Sequence, residues 1–444
     1  MTPKVRGFIW SVTALTWLSG AGCGSDQPLC AQIGQQAPLP GDSPLALTRD
    51  AVLLRAGDGF VLAGREENTV RWGQLSSTGD LVGEWSFDLP EQPAVTAGGK
   101  SLSPRFAVAS KAAPGDLLVV VMGVQAKSTD PYEVHAWIHD PASADQLTMQ
   151  VLDVQAPAGS GLVRVEAGSS PDGTAALAAW AWGMEAEGSP IQYKTSIKYR
   201  MLGSGPDGVQ VGDPKMIFGD SDPNSIPLWS CLDTTQNNAE NLAITLVEAP
   251  NLEHPQQPRW HRFAIGDDGS IGEQVLIDMK FDVSDCRIVS TPTSEGGQLL
   301  AWQNNASNAG TYFAGLTPPP PDGGSDSLDN VTIFPVLASA SYGGYSQMPK
   351  VDWIAPAGHE FTIGLAGSRG TSVVRFNVFG DLRGKTLYLP SVSGNTDQAS
   401  AWVGPDAVYV TYLDMPGSPT QADAGVPAGS QRYLVTVLSP ADLP

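Results

Sequence analysis

Polar turns followed by short apolar runs recur along this chain from near its start to its end. The stretch "RAGDGFVLAG", Arg55 to Gly64, sets an Asp-Gly turn before an apolar segment. The same order returns in "KAAPGDLLVVVMG" (111–123), "SPDGTAALAAWAW" (170–182) and "NNAENLAITLVE" (237–248). Three more copies follow, "SEGGQLLAWQ" (294–303), "APAGHEFTIGLAG" (355–367) and "VGPDAVYVTYLD" (403–414). The turns centre near residues 59, 115, 173, 240, 297, 358 and 406, at intervals of roughly 50 to 65 residues, a period that unrelated hairpins would not keep. The apolar runs lack the alternation of a strand with one wet side, so they read as strands covered on both faces. No long stretch carries apolar residues at i, i+3, i+4 and i+7, and the class is therefore all-β.

A second turn signal follows the first in four of the seven units, as "GDLVGE" (79–84), "GVQVGD" (208–213), "GSIGE" (269–273) and "GDLRGK" (380–385). Aromatic-rich segments lie between the two anchors, among them "VRWGQL" (70–75), "VHAWIH" (134–139), "RWHRFAI" (259–265) and "VVRFNVF" (373–379). Each unit then holds four strands, and four antiparallel strands repeated at this spacing are the signature of a β-propeller blade. The expectation is a seven-bladed β-propeller, with six or eight blades as the alternatives. The last unit ends at its third strand, "QRYLVTVL" (431–438). Residues near the start, around "PLCAQIG" (28–34), would supply the fourth strand and close the ring without leaving an open sheet edge.

The segment "SSPDGTAALAAW" (169–180) resembles the Ser-Pro-Asp-Gly-Thr repeat of TolB-type and WD40-like bacterial propellers. The resemblance covers one unit closely and the others only in pattern. It implies a propeller and, by analogy, a periplasmic scaffold.

The first residues place the protein outside the cytoplasm. Lys4 and Arg6 precede an apolar run from Gly7 to Leu18 and then small residues ending at Cys23, the order of a secretory signal peptide. "SGAGC" resembles a bacterial lipobox, in which Cys23 would carry lipid and begin the mature chain. Ser19 and Ala21 also suit ordinary signal peptidase. The expected organisation is a signal peptide at 1–22, an N-terminal segment at 23–41 and a propeller at 42–444, located in a bacterial cell envelope. Removing residues 1–22 takes away Lys4 and Arg6 and no acid, which moves the formal charge from −21 to −23. An acidic surface repels phosphate backbones and anionic lipid, so nucleic acid is excluded as a partner class, and membrane contact is expected only through lipid at Cys23. A monomer is expected.

Counting back from each first turn finds cations at the start of the first strand in five units: Arg49, Arg105, Arg164, Arg287 and Lys350. First strands line the channel of a propeller, so these residues would converge on one mouth. They read either as a site for an anionic ligand or acidic partner, bound bidentately by guanidinium groups, or as ties between blades, paired with Asp50, Asp285 or Asp352. Long segments between second and third strands, such as 183–195, 248–258 and 415–431, would gather on the same face. The matched aromatics Trp72, Trp137, Tyr199, Trp260, Phe376 and Tyr433 read as packing between blades.

Catalytic patterns are sparse. There is no G-x-S-x-G, H-E-x-x-H or phosphate-binding glycine loop, so no cofactor or metal is expected. His135 and His139 lie about 13 Å apart along a strand, too far to share a metal. "DSDPNS" (220–225) starts like a calcium loop, but its twelfth position is Cys231. The chain therefore reads first as a binding or scaffold propeller and not an enzyme, and alternatively as a hydrolase or lyase acting on extracellular polysaccharide. Cys231 and Cys286 open the first strands of neighbouring units and are expected to form a disulfide closing some 55 residues, worth about 4 kcal/mol by loop entropy, against two buried thiols. Peptide mapping under non-reducing conditions is expected to recover the two cysteines in one cross-linked species.

Overall fold

The computed structural model describes residues 35–36, 41–56, 59–89, 100–110, 116–141, 146–155, 160–170, 175–185, 193–205, 208–218, 227–233, 242–248, 259–266, 268–278, 288–292, 298–304, 311–317, 332–337, 350–357, 360–367, 370–377, 382–390, 394–403, 408–416 and 432–438. The described residues are all-β, and their strands form seven sheets. In sheet one the strands Arg49–Ala56, Gly59–Glu66, Thr69–Leu75 and Leu81–Asp88 lie side by side in sequence order, each antiparallel to the next. The same antiparallel order returns in sheets two to six, at residues 100–155, 160–218, 227–278, 288–337 and 350–390, with the first strand of sheet two split into Lys100–Ser101 and Arg105–Ser110 and the last of sheet three into Gly208–Val211 and Lys215–Phe218. Sheet seven draws three strands from residues 394–438, and its fourth is Gly41–Asp42, which pairs antiparallel with Leu434 and Val435. Just before it, Gln35–Gln36 lies parallel beside Leu387 and Tyr388 at the edge of sheet six. Residues 28–34, expected to supply a closing strand, lie outside the described residues.

The core lies between sheets, and this explains why the second strands do not alternate. Phe60 and Leu62 of sheet one pack against Tyr409, Leu413 and Tyr433 of sheet seven, while Val61 and Ala63, turned the other way, pack against Val108, Leu118 and Val120 of sheet two. Leu117, Val119 and Val121 then meet Ala176, Ala178 and Trp180 of sheet three, and Leu177, Ala179 and Ala181 meet Leu242, Ile244 and Leu246 of sheet four. Successive side chains along one strand thus enter different clusters, and each fully buried Val or Leu contributes about 2 kcal/mol. The first strands touch in turn: Arg49–Ala56 meets Arg105–Ser110, which meets Ser160–Ser169, which meets Pro227–Asp233. Gly394–Val403 of the last sheet returns to Arg49–Ala56. Four-stranded sheets stacked in this way are the arrangement of a β-propeller.

Polar groups within these interfaces are matched from sheet to sheet. The Tyr199 hydroxyl of sheet three donates to the Gly269 carbonyl in a turn of sheet four at 2.7 Å. Tyr409 of sheet seven donates to the Ser77 carbonyl of sheet one at 2.6 Å. Both turns need glycine twice over. Gly79 and Gly269 have φ of 86° and 71°, and a Cβ on either would lie 2.6 Å from the neighbouring sheet's Tyr409 or Met201. The second sequence anchor therefore marks where the preceding sheet's side chains press on the turn. Between sheets two and three, Asp153 Oδ2 accepts from Trp180 Nε1 at 2.8 Å, Trp182 Nε1 at 2.9 Å and Lys198 Nζ at 3.1 Å.

Burial pushes the Asp153 pKa up, but the bonds from Trp182, Trp180 and Lys198, with the Lys198 charge, outweigh it and hold the carboxyl below its ordinary 3.8. A depressed carboxyl stabilises the fold above its unfolded-state pKa, and that contribution disappears as the pH falls through the folded-state value. Asp153→Ala is expected to cost about 3 kcal/mol in urea unfolding near neutral pH, because two indoles and an ammonium lose their acceptor, and less once the medium is acidic enough to protonate Asp153 in the wild type. Separately, deleting residues 1–42 bares the edge at Val435 and is expected to lower the melting midpoint by a few degrees. An unchanged midpoint would show that Gly41–Asp42 adds nothing to stability.

Candidate functional site

The innermost strands carry the polar groups in which a site can be built. A one-residue bulge in these strands divides the cations counted from the sequence. In sheet one Arg49 opposes Arg65 and Val52 opposes Ala63, so two residues on the first strand stand against one on the second. Sheet six repeats this, with Lys350 opposite Ala366, Val351 opposite Leu365 and Trp353 opposite Gly364. In sheet three the irregularity falls between Leu162 and Arg164. In sheet two it falls between Leu102, whose N–H bonds to Gly123, and Arg105, which opposes Val121. Arg49 and Lys350 therefore precede the bulge and Arg105 and Arg164 follow it. A bulge shifts the facing of everything beyond it, so equal counts from the turn do not put all four in one row.

The two arginines after the bulge come together across a sheet boundary. Glu166, two residues beyond Arg164 on the same strand, has a side chain only 4% exposed, and its Oε1 lies 2.5 Å from Arg164 Nε and 3.4 Å from Arg105 Nε of the preceding sheet. The Arg105 side chain is 42% exposed. Two guanidinium groups thus approach one buried carboxylate, and the more exposed of them belongs to sheet two. Arg49 is exposed. Its neighbour Asp50, a candidate partner by sequence, takes a left-handed φ of 56° and bonds to Arg65 instead. Lys350 heads its strand, with its side chain outside the described residues, as are Arg287, Cys286, Cys23 and the 220–225 segment. Cys231 lies on the strand Pro227–Asp233.

The histidines and aromatics divide between packing and surface. His139 is buried; its Nδ1 accepts from Trp72 Nε1 at 3.3 Å and its ring stacks on Phe87. Burial lowers its pKa against the opposing pull of Asp140, and the acceptor role of Nδ1 requires the neutral ring. His135 Nε2 lies 2.6 Å from Glu133 Oε2, an imidazole oriented by a carboxylate on the same strand face. Trp72, Trp137, Tyr199, Trp260 and Tyr433 are all at least 97% buried, as packing between sheets requires. Glu166 was the residue that counting cations missed. Its signal was present in "VRVEA" (163–167), as a carboxylate in an otherwise apolar inner strand, one full alternation from an arginine.

No family model matches the chain, and no curated protein matches it in sequence. Solved structures do match its fold. The polysaccharide lyase Uly1 is similar with a TM-score of 0.52 and 10% identity, over 92% of this chain and 95% of that one. A prolyl endopeptidase matches with a TM-score of 0.45 and 14% identity over 89% of this chain and 48% of its own, so this chain spans about half the length of that enzyme. The propeller domain of Cps50 (Swd1) from Myceliophteria thermophila matches with a TM-score of 0.42 and 10% identity, over 90% of this chain and all of that one. At these identities what is shared is the fold. The expectation that the chain is not an enzyme is corrected here: a structure similar along nearly the whole of both chains is that of a polysaccharide lyase, so the fold gives that expectation no support. The absence of a short catalytic motif is no argument against catalysis on a fold whose facing residues come from separate sheets.

Proposed function

We propose that this chain is an exported enzyme that cleaves a polysaccharide, of the lyase class, built on a closed propeller of seven blades. The observation that carries the reading is the extent of the likeness: over 95% of its length, a chain called a polysaccharide lyase is this fold. The leader ahead of Cys23 supports export, with lipid at Cys23 as the proposed anchor. The return of the last sheet onto the first supports seven blades. The proposed address is the face where the first strands begin. The connections 186–192, 249–258 and 417–431 follow the second strands of their sheets in the sequence and lie outside the described residues.

Elimination sets demands that hydrolysis does not. A lyase removes a proton from the carbon beside a uronate carboxyl group and expels the neighbouring glycosidic oxygen. It therefore needs a proton acceptor and a fixed positive charge where negative charge develops on that carboxylate. The purified protein, incubated with uronate-containing and neutral polysaccharides, is expected to shorten a uronate polymer with a rise in ultraviolet absorbance from the unsaturated ends. Shortening without absorbance would mean hydrolysis. No shortening of any polymer in a broad set would overturn the reading.

A further inference from the structure

We infer that Arg105, backed by Glu166 and Arg164, is a carboxylate-binding fork for an acidic sugar residue. The chemical class of ligand follows from how the three side chains are placed. Glu166 is 4% exposed, and a buried carboxylate is retained only where charge and hydrogen bonds compensate its lost hydration. Arg164 supplies that compensation at 2.5 Å within its own strand. Arg105 approaches the same oxygen only to 3.4 Å, through an Nε that is itself buried and makes no hydrogen bond. One carboxylate already engaged at short range thus leaves the Arg105 charge largely uncompensated, while 42% of that side chain faces outward.

The stem is fixed and the far end is presented. Arg105 begins the strand Arg105–Ser110, directly beyond the interruption that follows Ser101, and its backbone is held opposite Val121 by the antiparallel ladder. A guanidinium whose Nε is buried offers its two terminal nitrogens as a planar pair, which matches the two oxygens of a carboxylate. A neutral sugar hydroxyl does not use both donors. Glu166 acts as a positioning residue, since it orients Arg105 without reaching the ligand.

The inference rests on the polysaccharide reading only for the source of the carboxylate, and its test is independent of cleavage. Full-length mature protein is titrated calorimetrically with tri-galacturonate and with its methyl ester. The acid is expected to bind and the ester to bind at least about tenfold more weakly, since esterification removes the charge-assisted pair. Arg105→Gln is expected to lose about tenfold or more in affinity for the acid with an unchanged melting midpoint, because the Arg105 Nε makes no hydrogen bond for the substitution to break. Arg105→Lys should recover part of that loss, as a point charge without the fork. Glu166→Gln is expected to weaken binding less and to lower the midpoint. Equal binding of acid and ester, an Arg105→Gln variant that binds like the wild type, or no binding of the acid would each overturn the inference. If the acid binds through Arg105 but no polymer is cleaved, the fork stands and the enzyme reading falls. If polymers are cleaved while Arg105→Gln binds and cleaves normally, the reverse holds.

Discussion

A sheet that is apolar on both faces cannot rest against water on either side, and the rest of this structure follows from that constraint. In the strand Gly59–Glu66, Phe60 and Leu62 belong to one cluster and Val61 and Ala63 to another. Sheet one therefore needs a neighbour on each side, and so does every sheet it touches. A row of such sheets ends well only where its last member covers its first, as Tyr409, Leu413 and Tyr433 cover Leu53, Phe60 and Leu62. Hydrophobic burial drives the stacking but is non-directional, so it does not choose how the sheets register against each other.

Register is chosen by those buried polar groups that have a fixed partner on a neighbouring sheet. Tyr199 reaches the turn at Gly269 and Tyr409 the turn at Ser77. Asp153 collects two indoles and an ammonium, and Ser169 and Ser400 take the backbone N–H of Val108 and Leu53 across the inner strands. A sliding sheet would strand these donors in an apolar interface, and the cost of each lost partner makes one arrangement preferred. The innermost part of the interface is where this polar matching meets solvent, and it is there that Glu166 draws two arginines to one point.

An acidic chain proposed to bind an acidic polymer would face a conflict of range. The formal charge of −21 opposes the approach of a polyanion, yet at physiological salt such fields are screened beyond about 8 Å. Binding then depends on short-range geometry, in which a fork already oriented by a buried carboxylate has an advantage over mobile surface lysines.

The sequence by itself determined the repeat, the four-stranded unit, the all-β class and the doubly buried second strands, because these depend on neighbours within about ten residues and on a period of hydrophobicity that any sheet must obey. It also marked Gly79 and Gly269 as turn residues, though not that a tyrosine or methionine of the preceding sheet rests against them. What the tertiary structure alone decided was facing and partnership. A single bulged residue, invisible to counting, separates Arg49 and Lys350 from Arg105 and Arg164. Glu166 became a junction only when sheet two packed on sheet three, and Asp50 turned to Arg65 because of its left-handed backbone. Local sequence sets which residues can form a strand. Which charges end up within a few ångströms depends on contacts between segments some sixty residues apart, and no local pattern encodes those.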